Sequence, residues 1–164
     1  MPSELLIRPF DPASARDAAA FRRLNVEWLE RFFVVEPDDH LVLNEPSREI
    51  IRPGGKILLA EISAEIVGCC ALIAQPADPA SWEIAKLAVT AGFQGQGIGR
   101  KLMDAIMAEA AGLGAKRLVL VTNSGLLAAR RLYESLQFTY LPAAEAGALG
   151  HYARGDTFME KWLA

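Results

Sequence analysis

An α/β fold built on a mixed sheet is what this sequence predicts, and three observations carry that expectation. Residues 84–90 form a short run rich in branched side chains. Beyond a glycine-rich turn, Ile98, Leu102, Ile106 and Ala110 then recur at every fourth position along one helical face. A second strand-like run, residues 117–122, follows that helix, and a strand–helix–strand succession of this kind joins parallel strands. Earlier in the chain, residues 56–62 and 65–73 are separated only by Ser63-Ala64, the spacing of a hairpin and therefore of antiparallel pairing. Parallel and antiparallel connections together give a mixed sheet rather than a doubly wound one. The 164 residues are enough for one domain with a substantial core, and no repeat or linker interrupts positions 1–164.

Taken in order, residues 4–8 read as a strand, and Asp11 followed by Pro12 reads as an N-cap with proline at the first helical position. Phe21, Leu24, Trp28 and Phe32, at spacings of three and four, form the apolar stripe of a long first helix and read as core. From Val34 to Pro53 the pattern loosens through Glu36-Pro37-Asp38-Asp39-His40. It regains a helix-like stretch over 46–51 and ends at Pro53-Gly54-Gly55. After the hairpin, residues 75–81, with two prolines, form a loop into the strand at 84. Residues 127–138 then read as a helix, with a strand near 138–141, an Ala/Gly-rich loop over 142–150 and a last strand over 157–163.

Composition narrows the class. The apolar content is 52%, yet charge or glycine breaks every run short of the ~18 to 20 residues of a membrane helix. Met1-Pro2-Ser3-Glu4 lacks the basic start and apolar core of a secretory signal, so the expectation is a cytoplasmic protein with no membrane partner. Cys69 and Cys70 are adjacent in a strand pattern and point to opposite faces. They read as buried structural thiols, neither a disulfide nor a metal pair, and no metal is expected. A net charge of −3 speaks against a nucleic-acid binder and mildly suits a cationic acceptor. The sequence leaves the oligomeric state open, a homodimer included.

The functional signal is the run Gln94-Gly95-Gln96-Gly97-Ile98-Gly99 between the strand and the helix. Glycines there let a ligand approach the main chain, and the first N–H groups of a helix have no internal acceptors and carry the positive end of its dipole. Such a junction accepts an anion, a diphosphate in particular. A Walker loop needs Gly-Lys-Ser/Thr, whereas Lys101 follows Arg100 and precedes Leu102. A dinucleotide fingerprint needs G-x-G-x-x-G and a later acidic residue, whereas these glycines run G-x-G-x-G and the next strand ends at Asn123. The pattern Q/R-x-x-G-x-G, placed after Leu87-Ala88-Val89 and before a helix, resembles the coenzyme A loop of the GCN5-related N-acetyltransferase (GNAT) superfamily. A second segment agrees with it. Residues 118–123 close on Asn123, and Ala129-Arg130-Arg131-Leu132-Tyr133 through Gln137-Phe138 resemble the family's Ala-x-x-Leu-Tyr-x-x-x-Gly-Phe helix, with Gln137 in place of the glycine.

The resemblance implies a mostly antiparallel mixed sheet with a central splayed pair of parallel strands and helices on both faces. It implies acetyl-CoA as co-substrate, with pantetheine along the backbone of Leu87, Ala88 and Val89 and the diphosphate on Gln94, Gly95, Gln96, Gly97, Ile98 and Gly99. Asn123 completes the cleft, while Arg100, Lys101, Arg130 and Arg131 flank the phosphates. Tyr133, by the same resemblance, would give a proton or hydrogen bond to the leaving thiolate. Glu83 lies eleven residues before Gln94, where histone-type members place a catalytic carboxylate, and it reads equally as that base or as a strand-edge glutamate. An amine near pKa 10 must lose a proton before it attacks, so a base or a water chain is required.

Other groups stay open. Glu36, Asp38, Asp39 and Glu45 read as a solvated acidic loop or as collectors of a cationic acceptor. His40 and His151 read as surface histidines, and Tyr152 and Arg154 receive no role. The function implied is an N-acetyltransferase acting by direct attack on a primary amine of a small molecule or peptide. A non-catalytic acyl-CoA-binding sensor and a modifier of protein amino groups are the alternatives.

Overall fold

The computed structural model describes residues 3–147, 149 and 153–164, organised around one sheet. Its strands are β1 (Leu5–Pro9), β2 (Lys56–Ile62), β3 (Glu65–Ala74), β4 (Ser81–Val89), β5 (Arg117–Thr122), β6 (Thr139–Leu141) and β7 (Thr157–Trp162), in the spatial order β1-β2-β3-β4-β5-β7-β6. Neighbours are antiparallel except β4 and β5, which run parallel at the centre. Four α-helices are described: α1 (Ala15–Phe32), α2 (Pro37–Asn44), α3 (Ile98–Gly112) and α4 (Leu127–Ser135).

Strand alternation divides the core into two layers. Leu58, Cys70, Leu72, Ile84, Leu118 and Leu120 pack with Leu102, Met103 and Ile106 of α3 and with the Tyr133–Phe138 end of α4. Ile57, Leu59, Cys69, Ala71 and Ala88 face the other way, against Phe21, Leu24 and Leu29 of α1 and Leu43 of α2. Helices thus cover both faces. Among the described residues no helix is long and apolar enough to cross a membrane.

Three local details correct or refine the sequence reading. Helix α1 is capped by Ser14, whose side chain accepts the Asp17 N–H at 3.1 Å, and not by Asp11. Asp11 instead accepts the Ala13 N–H, and Pro12 lies in the turn before the helix. The reason is Asp17: buried, and bound by both Arg8 guanidinium nitrogens at 2.7 and 2.8 Å, it fixes the first turn at β1. Helix α2 emerges where only a loose acidic segment was read. Its start is set by Pro37 at the first helical position and by the Asp39 carboxylate accepting the Glu36 N–H at 2.8 Å. The hairpin turn at Ser63 and Ala64 holds φ of 50° and 63°, the left-handed pair that a two-residue hairpin demands even without glycine.

Gln137 occupies the left-handed position at the end of α4, with φ 70°. The N–H of Phe138 reaches the Tyr133 carbonyl and that of Gln137 the Glu134 carbonyl, both at 3.0 Å, and the Phe138 ring packs on Tyr133. This is a complete Schellman exit made by a residue with a Cβ. Gln137→Gly removes the left-handed penalty at some cost in chain entropy, so unfolding should be harder by about 0.5–1 kcal/mol. A urea midpoint shifted upward at constant m-value would show it; an unchanged or lower midpoint would mean that the glutamine is unstrained there.

Candidate functional site

Strands β4 and β5 pair only through Ser81–Arg117, Trp82–Leu118 and Glu83–Val119. Beyond Glu83 each strand keeps its outer neighbour, β3 as far as Val89 and β7 as far as Thr122, so the two central strands part. A cleft of about 490 Å³ opens in the fork. Leu87, Ala88 and Val89 line it, on the stretch of β4 that no β5 ladder covers.

A bulge in β4 decides which side chains enter. Register with β3 runs from Ala71–Ala85 to Cys69–Ala88, leaving Lys86 and Leu87 opposite Cys70 alone, and Lys86 takes φ 57°. Strict alternation would put Lys86 with Ile84 in the α3 layer. With the extra residue, Lys86 reaches α2 while Leu87 and Val89 join the α3 layer. Lys86 therefore stands in the cleft, like Glu83.

At one end of the cleft lies the glycine-rich loop. Gln94 donates to the Val89 carbonyl at 3.0 Å and accepts from Arg31 at 3.3 Å, which anchors the loop to β4 and α1. Gly95 and Gly97 hold φ of 77° and 79°, and a Cβ at either would meet nothing within 4 Å, so the loop surface is open. Gly97 caps α3 without any side-chain hydrogen bond, and no acidic residue stands in the first turn. The N–H groups of Ile98, Gly99 and Arg100 have no intrahelical acceptor. Arg100 and Lys101 add positive charge to the positive end of the dipole, an arrangement that an anion relieves. Gln94 and Gly99 connect this loop to the cleft; Arg100, whose guanidinium donates to Ser135, stays at its margin. Arg130 also lies off the cleft, donating to the Tyr140 hydroxyl and the Ser124 carbonyl.

The opposite wall is β5 and α4. Asn123 accepts the Gly125 N–H at 2.9 Å and donates to the Arg154 carbonyl at 2.8 Å, tying the turn into α4 to the loop before β7. Tyr133, 9% exposed, lines the cleft, and burial pushes its hydroxyl well above the usual phenol range, so it is an O–H donor at any ordinary pH. Glu83 is buried at the point of the fork, its Oε1 3.5 Å from the Gln75 amide nitrogen. The thiols of Cys69 and Cys70 are buried, and burial pushes that of Cys69 up to about 12, which leaves it protonated and unreactive.

The sequence reading gave the α1 stripe to the core and Arg154 no role. Trp28, Leu29, Phe32 and Phe33 line it, so the stripe on α1 is core only in its first two turns and cleft wall in its last. The acidic segment is solvated at Asp38 and Glu45 but not at Asp39. Asp39, 0% exposed, receives Arg154 through both guanidinium nitrogens at 2.6 and 2.8 Å and Lys86 at 3.3 Å, and Glu36 takes Arg154 at 3.1 Å. Burial works to raise the Asp39 carboxyl, but Arg154, the Glu36 N–H and the charge of Lys86 outweigh it and hold it below the usual range. Burial pushes the Lys86 ammonium down, with Asp39 and Glu83 opposing and Arg154 assisting. Asp38, His40 and Glu45 are exposed, while His151 and Tyr152 lie outside the described residues. A lysine inside an apolar strand run was the one signal in the sequence that pointed here.

Comparison with known proteins agrees with this architecture. Over 124 residues the chain is 35% identical to the amino-acid acetyltransferase of Azotobacter vinelandii, a match that covers 74% of this chain but only 28% of that protein. A GNAT-family acetyltransferase of Staphylococcus aureus Mu50 superposes with a TM-score of 0.85 at 18% identity, covering 98% of this chain and all of the other, a likeness of fold. YncA of Salmonella typhimurium, solved with its cofactor acetyl-CoA, superposes with a TM-score of 0.73 at 25% identity over 99% of this chain and 95% of its own. The model of the acetyltransferase (GNAT) family matches residues 19–138, from α1 through the exit of α4, and the chain therefore belongs to the GNAT family of acetyltransferases.

Proposed function

We propose that residues 1–164 form one acetyltransferase domain that moves the acetyl group of acetyl-CoA to a primary amine of a small molecule or peptide, in the cytoplasm. The observation that carries this reading is a continuous cleft running from an anion-accepting helix start, along an open strand edge, to a buried carboxylate and a buried phenol. The diphosphate takes the N–H groups over 95–100, and pantetheine completes the ladder that β5 leaves unmade at Leu87, Ala88 and Val89. Gln94 and Asn123 hold the two ends of the cleft, with Arg100 and Arg130 flanking the cofactor from outside.

In the transfer, the amine nitrogen attacks the thioester carbonyl, a C–N bond forms and the C–S bond breaks. Glu83, directly or through water, takes the amine's proton. Tyr133, whose proton is tightly held, stabilises the departing thiolate by hydrogen bonding rather than by full transfer. No nucleophilic thiol lines the cleft among the described residues, which supports direct attack.

Calorimetry with acetyl-CoA, together with a coenzyme A release assay over amines, amino acids and peptides, tests the reading. Binding and release with at least one class are expected. Binding without release from any class would leave an acyl-CoA-binding sensor, and no binding would remove the cofactor assignment. Tyr133→Phe should lower kcat by roughly 10-fold with cofactor affinity nearly unchanged. Equal turnover by both proteins would take the hydroxyl out of the mechanism.

A further inference from the structure

We infer that Asp39 is a positioning residue for the transfer, a buried carboxylate that holds Lys86 and Arg154 in the cleft wall with Glu83 and does not itself meet the amine. The inference rests on the acetyltransferase reading of the cleft and adds to it the residue that sets the geometry of its acceptor side.

The carboxylate of Asp39 is fully used. Its Oδ1 accepts from Arg154 Nη2 at 2.6 Å and from Lys86 Nζ at 3.3 Å. Its Oδ2 accepts from Arg154 Nη1 and from the Glu36 N–H, both at 2.8 Å. That is the acceptor capacity of an ionised carboxylate, so Asp39 acts only through the groups it holds. Lys86, Arg154 and Glu83 line the cleft, and Asp39 stands behind them with no exposed surface.

The groups it holds come from both sides of the fork. Lys86 belongs to the bulge of β4. Arg154 precedes β7, and its carbonyl accepts from Asn123 at 2.8 Å, the residue that follows β5. Glu36 strengthens the second link, accepting from Arg154 at 3.1 Å and from the Ala153 N–H at 3.2 Å. Through Asp39 and Arg154 the two parted strands are joined again across the cleft. The span between them on the acceptor side therefore depends on one carboxylate at the start of α2. A buried network of charges adds little stability over apolar packing of the same volume, so its effect here is on geometry. Misplacing a reacting group by about 1 Å costs roughly 100-fold in rate.

Asp39→Asn tests this. The carboxamide keeps the volume but has one acceptor oxygen, and its NH2 must point at a donor, so the pair of bonds to Arg154 cannot form in full. Butylamine, phenylalanine and the tripeptide Ala-Gly-Gly serve as acceptor probes, and the one that wild type uses best is carried through. Its kcat/KM should fall about tenfold or more in Asp39→Asn, with acetyl-CoA affinity by calorimetry within about threefold of wild type. A carboxylate that served stability alone would lower the melting temperature and leave kcat/KM of the folded enzyme unchanged. Because Asp39 acts through Arg154, the same substitution should cost less than about threefold more in an Arg154→Gln background. If Asp39→Asn does not fold, Glu36→Gln, which loosens the same arginine from the rim, should lower kcat/KM by at least about threefold at constant acetyl-CoA affinity. An unchanged kcat/KM in the folded variant, an equal loss of acetyl-CoA affinity, or full additivity with Arg154→Gln overturns the inference while the acetyltransferase reading stands. If no amine releases coenzyme A, that reading falls and the inference with it.

Discussion

Gly97→Val is expected to abolish measurable acetyl-CoA binding, at least a 100-fold loss, in a protein whose sheet remains folded. Gly97 holds φ 79° as the cap of α3, a conformation in which a β-branched residue is strained by roughly 1–2 kcal/mol. That is small beside the ~5–15 kcal/mol that holds a typical domain together. A Cβ there meets nothing within 4 Å, so the fold suffers no clash. In the proposed site, the space the branch fills is the space a diphosphate oxygen enters. Calorimetry and circular dichroism on the same sample decide it, with Gly97→Ala as an intermediate case. Wild-type affinity in a normally folded valine variant would mean that the phosphates lie elsewhere.

Glu83→Gln is expected to lower kcat/KM by about 100-fold at neutral pH, and by only a few-fold near the pKa of the acceptor amine, around 10 for an alkylamine. The sign follows from the supply of free base. As pH rises the amine deprotonates without help, and the enzyme's proton acceptor matters less. Glutamine preserves the volume of a side chain buried at the point of the fork and can still meet the Gln75 amide, so a large loss reports charge rather than shape. Parallel pH profiles less than threefold apart would make Glu83 a structural glutamate and leave proton removal to water.

The half of the cleft proposed for the cofactor was legible in the sequence because its elements are local. The glycine-rich turn follows its strand directly, α3 shows its face at every fourth residue, and Asn123 and Tyr133 sit within one strand–helix unit. The hairpin of β2 and β3 was legible from spacing alone. The half lined by α1, α2 and Arg154 was not, because its determinants are distant in the chain. Asp39 and Arg154 meet across 115 positions, and the bulge that turns Lys86 exists only as a register against β3. Helix α2 was hidden by its eight residues, too few for a periodicity to show. The aromatic end of α1 continues the core pattern unbroken, so nothing in the spacing marks where core becomes cleft wall.

The parting of β4 from β5 gives one strand two separable jobs. Along Leu87, Ala88 and Val89 the cofactor, as proposed, is met by main-chain groups that every residue type except proline supplies, whereas Glu83 and Lys86, in the same cleft, would offer their side chains to the other substrate. On that reading, substitution at those two positions changes what the acceptor meets and leaves the donor's hydrogen-bond ladder as it was. Such a strand lets a lineage exchange one substrate for another in single mutational steps while the thioester stays held, an evolvability that comes from geometry.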